Sequence, residues 1–421
     1  MKITIKVGSD FSGVGAFNQA LMRLGINYQE VFACDMDKYA RQTFIHNYGE
    51  PEYYPMNVYD REIPSESLDI YMTSPPCQAF SMAGKRLGKE DERGILFFNS
   101  LEFIRVNNPR FFIFENVRGL LSHDKENKKD KIGRTFQEWI DYLGGKSVNG
   151  IGTMMPIDGS VPYHLHYKVL NAKKHGVPQN RERVFLIGIR DDKDNTFTWP
   201  QEEELTKRLK DVLENEVNDK YFLTSTKINY LLRTEETTFN VNANILKKNL
   251  PNESRTIQSS YHKGARDAQF IKVNSATSKG YEEATEGDSI NFSVPNSKTR
   301  RGRVGKGVAQ TLDAACNQGV IQLNPSKESK SGGGQPYQQN RIYDSNALCP
   351  ALNAGQVTWG GNAITLPNDY RIRRLTPREC FRLMDFPDTF TWPVSDSQAY
   401  KQAGNSIVVR VLEKIINNLP L

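Results

Sequence analysis

Residues 2–25 read KITIKVGSDFSGVGAFNQALMRLG. The β-rich "KITIKVGS" (2–9) predicts a strand and "AFNQALMRLG" (16–25) a helix, joined by "DFSGVGAF" (10–17). Gly13 and Gly15 let the backbone turn sharply and approach a ligand closely at a helix N-terminus. About 20 residues on, "ACDMD" places Asp35 at the end of the next strand, where a carboxylate can meet ribose hydroxyls. The same letters also suit a plain tight turn, so this motif alone does not decide between the two.

The pattern continues outward. "EVFACD" (30–35), "LDIYMTS" (68–74), "RFFIFEN" (110–116), "YKVLNA" (167–172) and "RVFLIGI" (183–189) predict further strands, spaced by helical patterns. Such alternation implies an α/β fold with a mostly parallel, Rossmann-like, doubly wound sheet. "DKENKKDKIG" and "LGGKSVNGIGTMMPIDGS" read as surface insertions. The texture changes after about residue 192: a charged segment (201–218) predicts a helix, and the Ser/Asn/Gly/Thr-rich stretch to 368 predicts short strands and loops. A second, smaller β- and loop-rich domain follows from this. Three segments there look alike: "RTIQSSYHKGARDAQFI", "AQTLDAACNQGVI" and "PALNAGQVTWGGNAI". Helical patterning resumes with "RIRRLTPRECFRLMDFP" (371–387), and "SIVVRVLEKIINNL" (406–419) predicts an amphipathic helix.

A length of 421 residues fits two domains. No run of 18 apolar residues and no charged-then-apolar leader is present, which points away from a membrane span or secretion. Five cysteines, at 34, 77, 316, 349 and 380, form no CxxC pair. A reducing cytoplasm is expected, without a disulfide framework or zinc cluster. His164 and His166 share a strand face but lack an evident third ligand, so no metal is expected. Fifty-five basic against 49 acidic residues give +6, too mild to identify a nucleic-acid binder.

Chemistry concentrates at strand ends. In "LDIYMTSPPCQAFSMAGKR" (68–86), Pro75 and Pro76 stiffen the backbone just before Cys77. A thiolate is the strongest common side-chain nucleophile, and open α/β sheets build sites where strands end. "FENVRG" puts Glu115 at the tip of another strand, as a helix cap or a working acid. "PQNRERV" (178–184) supplies Arg181 and Arg183, which face one side of an extended chain.

In this order the motifs resemble the DNA cytosine-5 methyltransferases: "DFSGVGAF", "PPCQAFS", "ENV", "QNRER", a variable region, "RRLTPRECFRLMDFP" and "QAGNSI". The resemblance implies a catalytic domain of residues 1–192 plus 393–421. It also implies a target-recognition domain of residues 193–392 that includes the helix motif 371–388. Cys77 would add to carbon 6 of a flipped-out cytosine, and Glu115 would protonate or hydrogen-bond N3. Arg181 and Arg183 would hold the ring oxygen and orient these groups. S-adenosyl-L-methionine (AdoMet) would be the methyl donor. Its site would be built from Phe11, Ser12, Gly13, Val14, Gly15, Asp35, Met36, Asn57, Val58, Ser74, Leu96, Asn405 and Ser406. Asp35 is a methylene shorter than the family's usual Glu, Met36 is not aromatic, and Asn57 stands where Asp is common.

Double-stranded DNA carrying a specific short sequence is the implied partner, met by Gln78, Ser81, Lys85 and Arg86 around the extruded base. The basic run "KTRRGRVGKG" (298–307) adds Arg300, Arg301 and Arg303 as expected phosphate contacts. A monomer is expected, and a cognate restriction endonuclease is a candidate partner. RNA (tRNA) cytosine-5 methylation is the rival activity; the long recognition region favours duplex DNA.

Overall fold

In the computed structural model, the apolar runs become strands whose side chains pack on both faces. β1 (Ile5–Asp10), β2 (Tyr28–Cys34), β3 (Ile70–Thr73) and β4 (Phe111–Val117) run parallel in the order β2-β1-β3-β4. The structure describes residues 4–76, 92–127, 129–221, 271–284, 288–291, 299, 301–311, 318–322 and 371–421. These fall into two compact units, one of residues 1–207, 313–315 and 380–421, the other of 208–312 and 316–379.

Helices α1 (Ala16–Arg23), α2 (Lys38–Tyr48), α3 (Glu92–Asn107) and α4 (Arg134–Leu143) belong to the first unit. Asp37 caps α2 by accepting from the Tyr39 and Ala40 amides at 2.9 and 3.3 Å. The sheet continues through β5 (Ser147–Val148), β6 (Ile151–Gly152), β7 (His164–Asn171) and β9 (Glu182–Ile189), in the full order β2-β1-β3-β4-β9-β7-β5-β6. The short β8 (Gln179–Asn180) precedes β9. β9 is antiparallel to both β4 and β7. The first half is parallel as the alternating pattern predicts, and the antiparallel β9 makes the whole a mixed sheet.

The core between sheet and helices is aromatic. Phe97 stacks on Trp139 at 4.0 Å, and Phe112, Phe114 and Tyr163 are fully buried beside them. Truncating one of these phenylalanines to alanine costs about 3–5 kcal/mol. The "LGGKSVNGIGTMMPIDGS" insertion carries β5 and β6 and leaves Met154 and Met155 exposed.

The C-terminal helices are α5 (Pro377–Leu383), α6 (Asp396–Asn405) and α7 (Val409–Asn417). α7 buries Val411, Leu412, Ile415 and Ile416 and packs on α1. Arg23 of α1 reaches Glu413 at 2.9 Å and also pairs with Asp385. The expected domain boundaries were 192/193 and 392/393, whereas the compact units part at 207/208 and 379/380. Residues 380–392 join the first unit because the Gln179 amide donates to the Leu383 carbonyl (2.7 Å). The Val409 amide likewise donates to the Met384 carbonyl (3.0 Å).

The expected helix over 201–218 is not formed. Its first part has no regular secondary structure, and a 3-10 turn follows at Leu209–Val212. Glu203 pairs with Lys414 at 2.7 Å and Glu202 with Lys174 at 3.0 Å, so the charges anchor an irregular strap.

The described part of the second unit is strand-rich. β10 (Ile271–Asn274) and β11 (Tyr281–Ala284) form a hairpin. β12 (Ser289–Asn291), β13 (Val304–Gly305), β15 (Gln318–Gln322) and β16 (Arg371–Arg374) form an antiparallel sheet ordered β13-β12-β15-β16; β14 (Ala309–Gln310) lies before β15 in sequence. Thr376 and Glu379 exchange side-chain-to-amide bonds of 2.8 and 3.2 Å, a capping box that starts α5 at Pro377. Most of the first look-alike segment, the middle of the second and the whole of the third lie outside the described residues.

Candidate active site

The chain leaves β1 for β2 on one side and later places β3 on the other. The carboxyl ends of β1 and β3 therefore border a topological switch point, where open α/β sheets form a ligand crevice. At the β1 end Phe11 adopts φ 56°, Gly13 φ 56° and Gly15 φ 83°. Gly15 is required twice over, because a Cβ there would also lie 2.2 Å from the Tyr48 ring. The loop is pinned: the Ser12 amide donates to the Cys34 carbonyl (3.0 Å), and the Ser12 and Tyr54 hydroxyls are bonded at 3.2 Å.

Asp35 follows β2 and accepts from the Gly13 amide (2.7 Å) and the Asp37 amide (2.8 Å). Burial pushes its carboxyl up, while those two amide bonds pull it down. The Asp35 amide donates to the Pro55 carbonyl at 3.3 Å, drawing the 35–36 and 55–59 segments together. Met36, Met56 and Tyr59 on these segments are 79%, 55% and 52% exposed. Large apolar side chains left in solvent beside a carboxylate and a glycine turn fit a purine nucleoside, so the residues present suit AdoMet. Val58 is buried in the core beneath, and Asn57 accepts from the Tyr59 amide. Leu96 of α3 packs on that core, Ser74 lies beside the Phe11 carbonyl at 3.5 Å, and Val14 is buried. Asn405 is exposed and Ser406 nearly buried where α6 ends.

The second half of the site lies on β4. Thr73 pairs with Phe114, so Glu115 comes level with Ser74, the residue before Pro75 and Pro76. Asn116 is buried and donates to the Pro75 carbonyl at 3.3 Å, tying the β4 end to the double proline. Val117 pairs with Arg183 in the β4–β9 register, which sets Glu115 and Arg183 as diagonal neighbours on one face. The Arg183 Nε lies 3.0 Å from the Glu115 Oε1. Burial pushes the Glu115 carboxyl up, opposed by the Arg183 and Arg181 charges. A carboxyl held so is a proton donor or a strong hydrogen-bond partner at neutral pH.

Two of the expected arginines are buried on main-chain carbonyls. Arg181 is 3% exposed and donates to the carbonyls of Gly404 (3.1 Å) and Ser406 (2.8 Å). These two bonds brace the α6 end. Arg303, expected on phosphates, is 2% exposed and donates to the Asn291 carbonyl, so its charge is committed inside the second unit. Arg301 is exposed, with its Nε on the Ala276 carbonyl. Cys77, Gln78, Ser81, Lys85, Arg86 and Arg300 lie outside the described residues.

Cys34 and Cys380 are buried and outside any disulfide, and burial pushes Cys34 up to about 12. His164 bonds Ser147 and Asp192, and His166 bonds Asn195. Among the described residues no group of three or more His, Cys, Asp or Glu side chains is placed to hold a metal, and no helix is long and apolar enough to cross a membrane. Sequence reasoning passed over Asn116, and likewise over Tyr71 and Arg61, which are buried on Asp10. A tyrosine within an apolar strand reads as core, and a lone arginine in "NVYDREIP" carries no pattern.

The fold and this site are those of a nucleotide-crevice α/β methyltransferase. The family profile "C-5 cytosine-specific DNA methylase" matches residues 5–420, and the chain belongs to that family. It is 32% identical to the orphan methyltransferase M.SPRI of Bacillus phage SPR, over 99% of this chain and 97% of the relative. It is 29% identical to the type II methyltransferase M.HhaI of Haemophilus parahaemolyticus, over 97% and 92%. Among solved structures, the Entamoeba histolytica methyltransferase EhMeth matches with TM-score 0.54 at 16% identity, covering 99% of this chain and 98% of that one. The Dnmt2 methyltransferase of S. pombe matches with TM-score 0.51 at 17% identity, covering 98% and 97%. These two likenesses concern the fold.

Proposed function

We propose that this C-5 cytosine DNA methyltransferase binds AdoMet in the β1/β3 crevice and methylates a cytosine rotated out of a specific double-stranded DNA sequence. The observation that carries the reading is the buried Glu115–Arg183 pair at 3.0 Å, beside the strand that runs into Pro75, Pro76 and Cys77. AdoMet supplies an electrophilic methyl group when bound. The chain's own residues make cytosine able to accept it. The Cys77 thiolate adds to carbon 6 and pushes an electron pair towards N3. Glu115, held by Arg183, donates a proton to N3, leaving carbon 5 enamine-like. After methyl transfer a base removes the carbon 5 proton, the electron pair expels the thiolate from carbon 6, and N3 returns its proton to Glu115.

The cofactor residues take the parts their placement suits. Backbone of the 11–15 loop would hold the amino-acid end of AdoMet, Asp35 the ribose, and Met36 with the 56–59 segment the adenine. The second unit, with exposed Arg301, reads the DNA. The test is DNA carrying 5-fluorocytosine at the target, where no proton can leave carbon 5 and elimination stops. Protein and DNA remain joined through denaturing electrophoresis only with AdoMet present, and the cross-link maps to residue 77. Cys77→Ser loses both adduct and methylation. A cross-link at another cysteine, or label from tritiated AdoMet entering tRNA alone, overturns the reading.

A further inference from the structure

Beneath the glycine loop lies a charged group that the proposed chemistry does not use. Asp10 ends β1 at 1% exposure and accepts from the Arg61 Nε at 2.9 Å and from the Tyr71 hydroxyl at 2.6 Å. Arg61 is also buried, its guanidinium 4.5 Å from the Phe103 ring and 5.7 Å from that of Phe32, and its second nitrogen Nη1 has no hydrogen-bond partner. Tyr71 stacks on Phe103 at 4.1 Å. An ion pair in an aromatic box is a poor device for stability, since apolar residues of similar volume serve as well or better. Its position suggests another use.

Each member stands next to a different wall of the crevice. Asp10 immediately precedes Phe11, whose φ of 56° is strained for a bulky side chain and persists only where its surroundings over-determine it. Arg61 closes the segment carrying Met56, Asn57 and Tyr59. Tyr71 lies on the strand that delivers Ser74 and the double proline. We propose that Asp10, Arg61 and Tyr71 form a buried clamp that fixes these three segments relative to one another, making Arg61 and Tyr71 positioning residues for AdoMet. The clamp rests on the AdoMet reading of the crevice.

The experiment titrates S-adenosylhomocysteine into the full-length protein by calorimetry. Tyr71→Phe keeps the stacked ring and removes only the hydroxyl; Asp10→Asn combined with Arg61→Met removes both charges without stranding either. Binding weakens about 3–10-fold in the first variant and more than about tenfold in the second, the range expected for one and for several lost charge-assisted bonds. Both keep native circular dichroism, and KM for AdoMet rises while kcat at saturation changes little. Binding within about twofold of the parent in every variant that folds (Tyr71→Phe alone, should the double variant fail) overturns the clamp. A parent that does not bind the probe removes the AdoMet reading and the clamp with it; a parent that binds while the variants match it removes the clamp alone.

Discussion

Glu115→Gln is the substitution that separates proton donation from cofactor binding. The amide keeps the shape and leaves an oxygen for the Arg183 Nε, now 3.0 Å from the carboxylate. It cannot give a proton to N3, and it leaves the Arg183 charge without its anion. Positioned acid catalysis contributes about 10²–10⁴-fold. With a hydrogen bond from the amide to N3 retained, the lower half applies, a loss of about 10²–10³ in kcat. That equals about 2.7–4 kcal/mol of barrier. Folding stability falls as well, by up to about 3–5 kcal/mol, because the buried Arg183 charge loses its anion. The pH profile supplies a second readout. Burial raises the Glu115 carboxyl, so its acid form is the working one and the rate falls as pH rises through that raised pKa. The variant loses this limb. Single-turnover transfer of tritium from AdoMet to target DNA measures the rate, and calorimetry with S-adenosylhomocysteine checks that affinity stays within about twofold. A kcat within about threefold of the parent would falsify the assignment of Glu115.

The basic run and a buried glutamate give two further expectations. Arg301→Ala weakens DNA binding at all sequences alike and lowers the log–log salt slope by about one unit. Arg303→Ala instead lowers the melting temperature, because it removes a buried donor to Asn291; an unchanged melting temperature with a reduced salt slope would reverse the two roles. Burial pushes Glu30 from 4.5 up to about 7, with Asn18 donating to it at 3.0 Å. Its contribution to stability is complete below about pH 4.5 and is lost as pH rises through about 7. Glu30→Gln therefore melts higher than the parent at pH 8 and nearly with it at pH 5; an equal difference at both pH values refutes the shift.

Strands buried on both faces were easy to read, since "RFFIFEN" and "RVFLIGI" have few other ways to hide their side chains. The glycine loop and Glu115 were legible for a related reason: strand ends and turns constrain residue type locally. What stayed hidden depends on partners distant in sequence. Arg181 and Arg183 alternate like residues of one face, yet Arg181 is claimed by carbonyls at 404 and 406. Charge patterning at 201–218 suits a solvated helix, and only the placement of Lys174 and Lys414 makes an irregular chain the better solution. Arg301 and Arg303 share a run, but the β11–β13 neighbourhood turns one outward and the other in. Three backbone amides at 302–304 donate to the Glu282 carboxylate there and set that twist.

The docking of α7 on α1 also has a temporal side. A ribosome releases α1 before the second unit and α7 after it. At about 5–20 residues per second the wait is roughly 20–80 s. Throughout it, the apolar face of α1 has no cover and Arg23 lacks both Asp385 and Glu413. Thr43 likewise awaits the Gln402 amide oxygen to which its hydroxyl donates at 3.1 Å. The first unit is thus expected to remain an open, chaperone-accessible intermediate until α7 emerges. A cell therefore acquires no finished first unit before the second has been made.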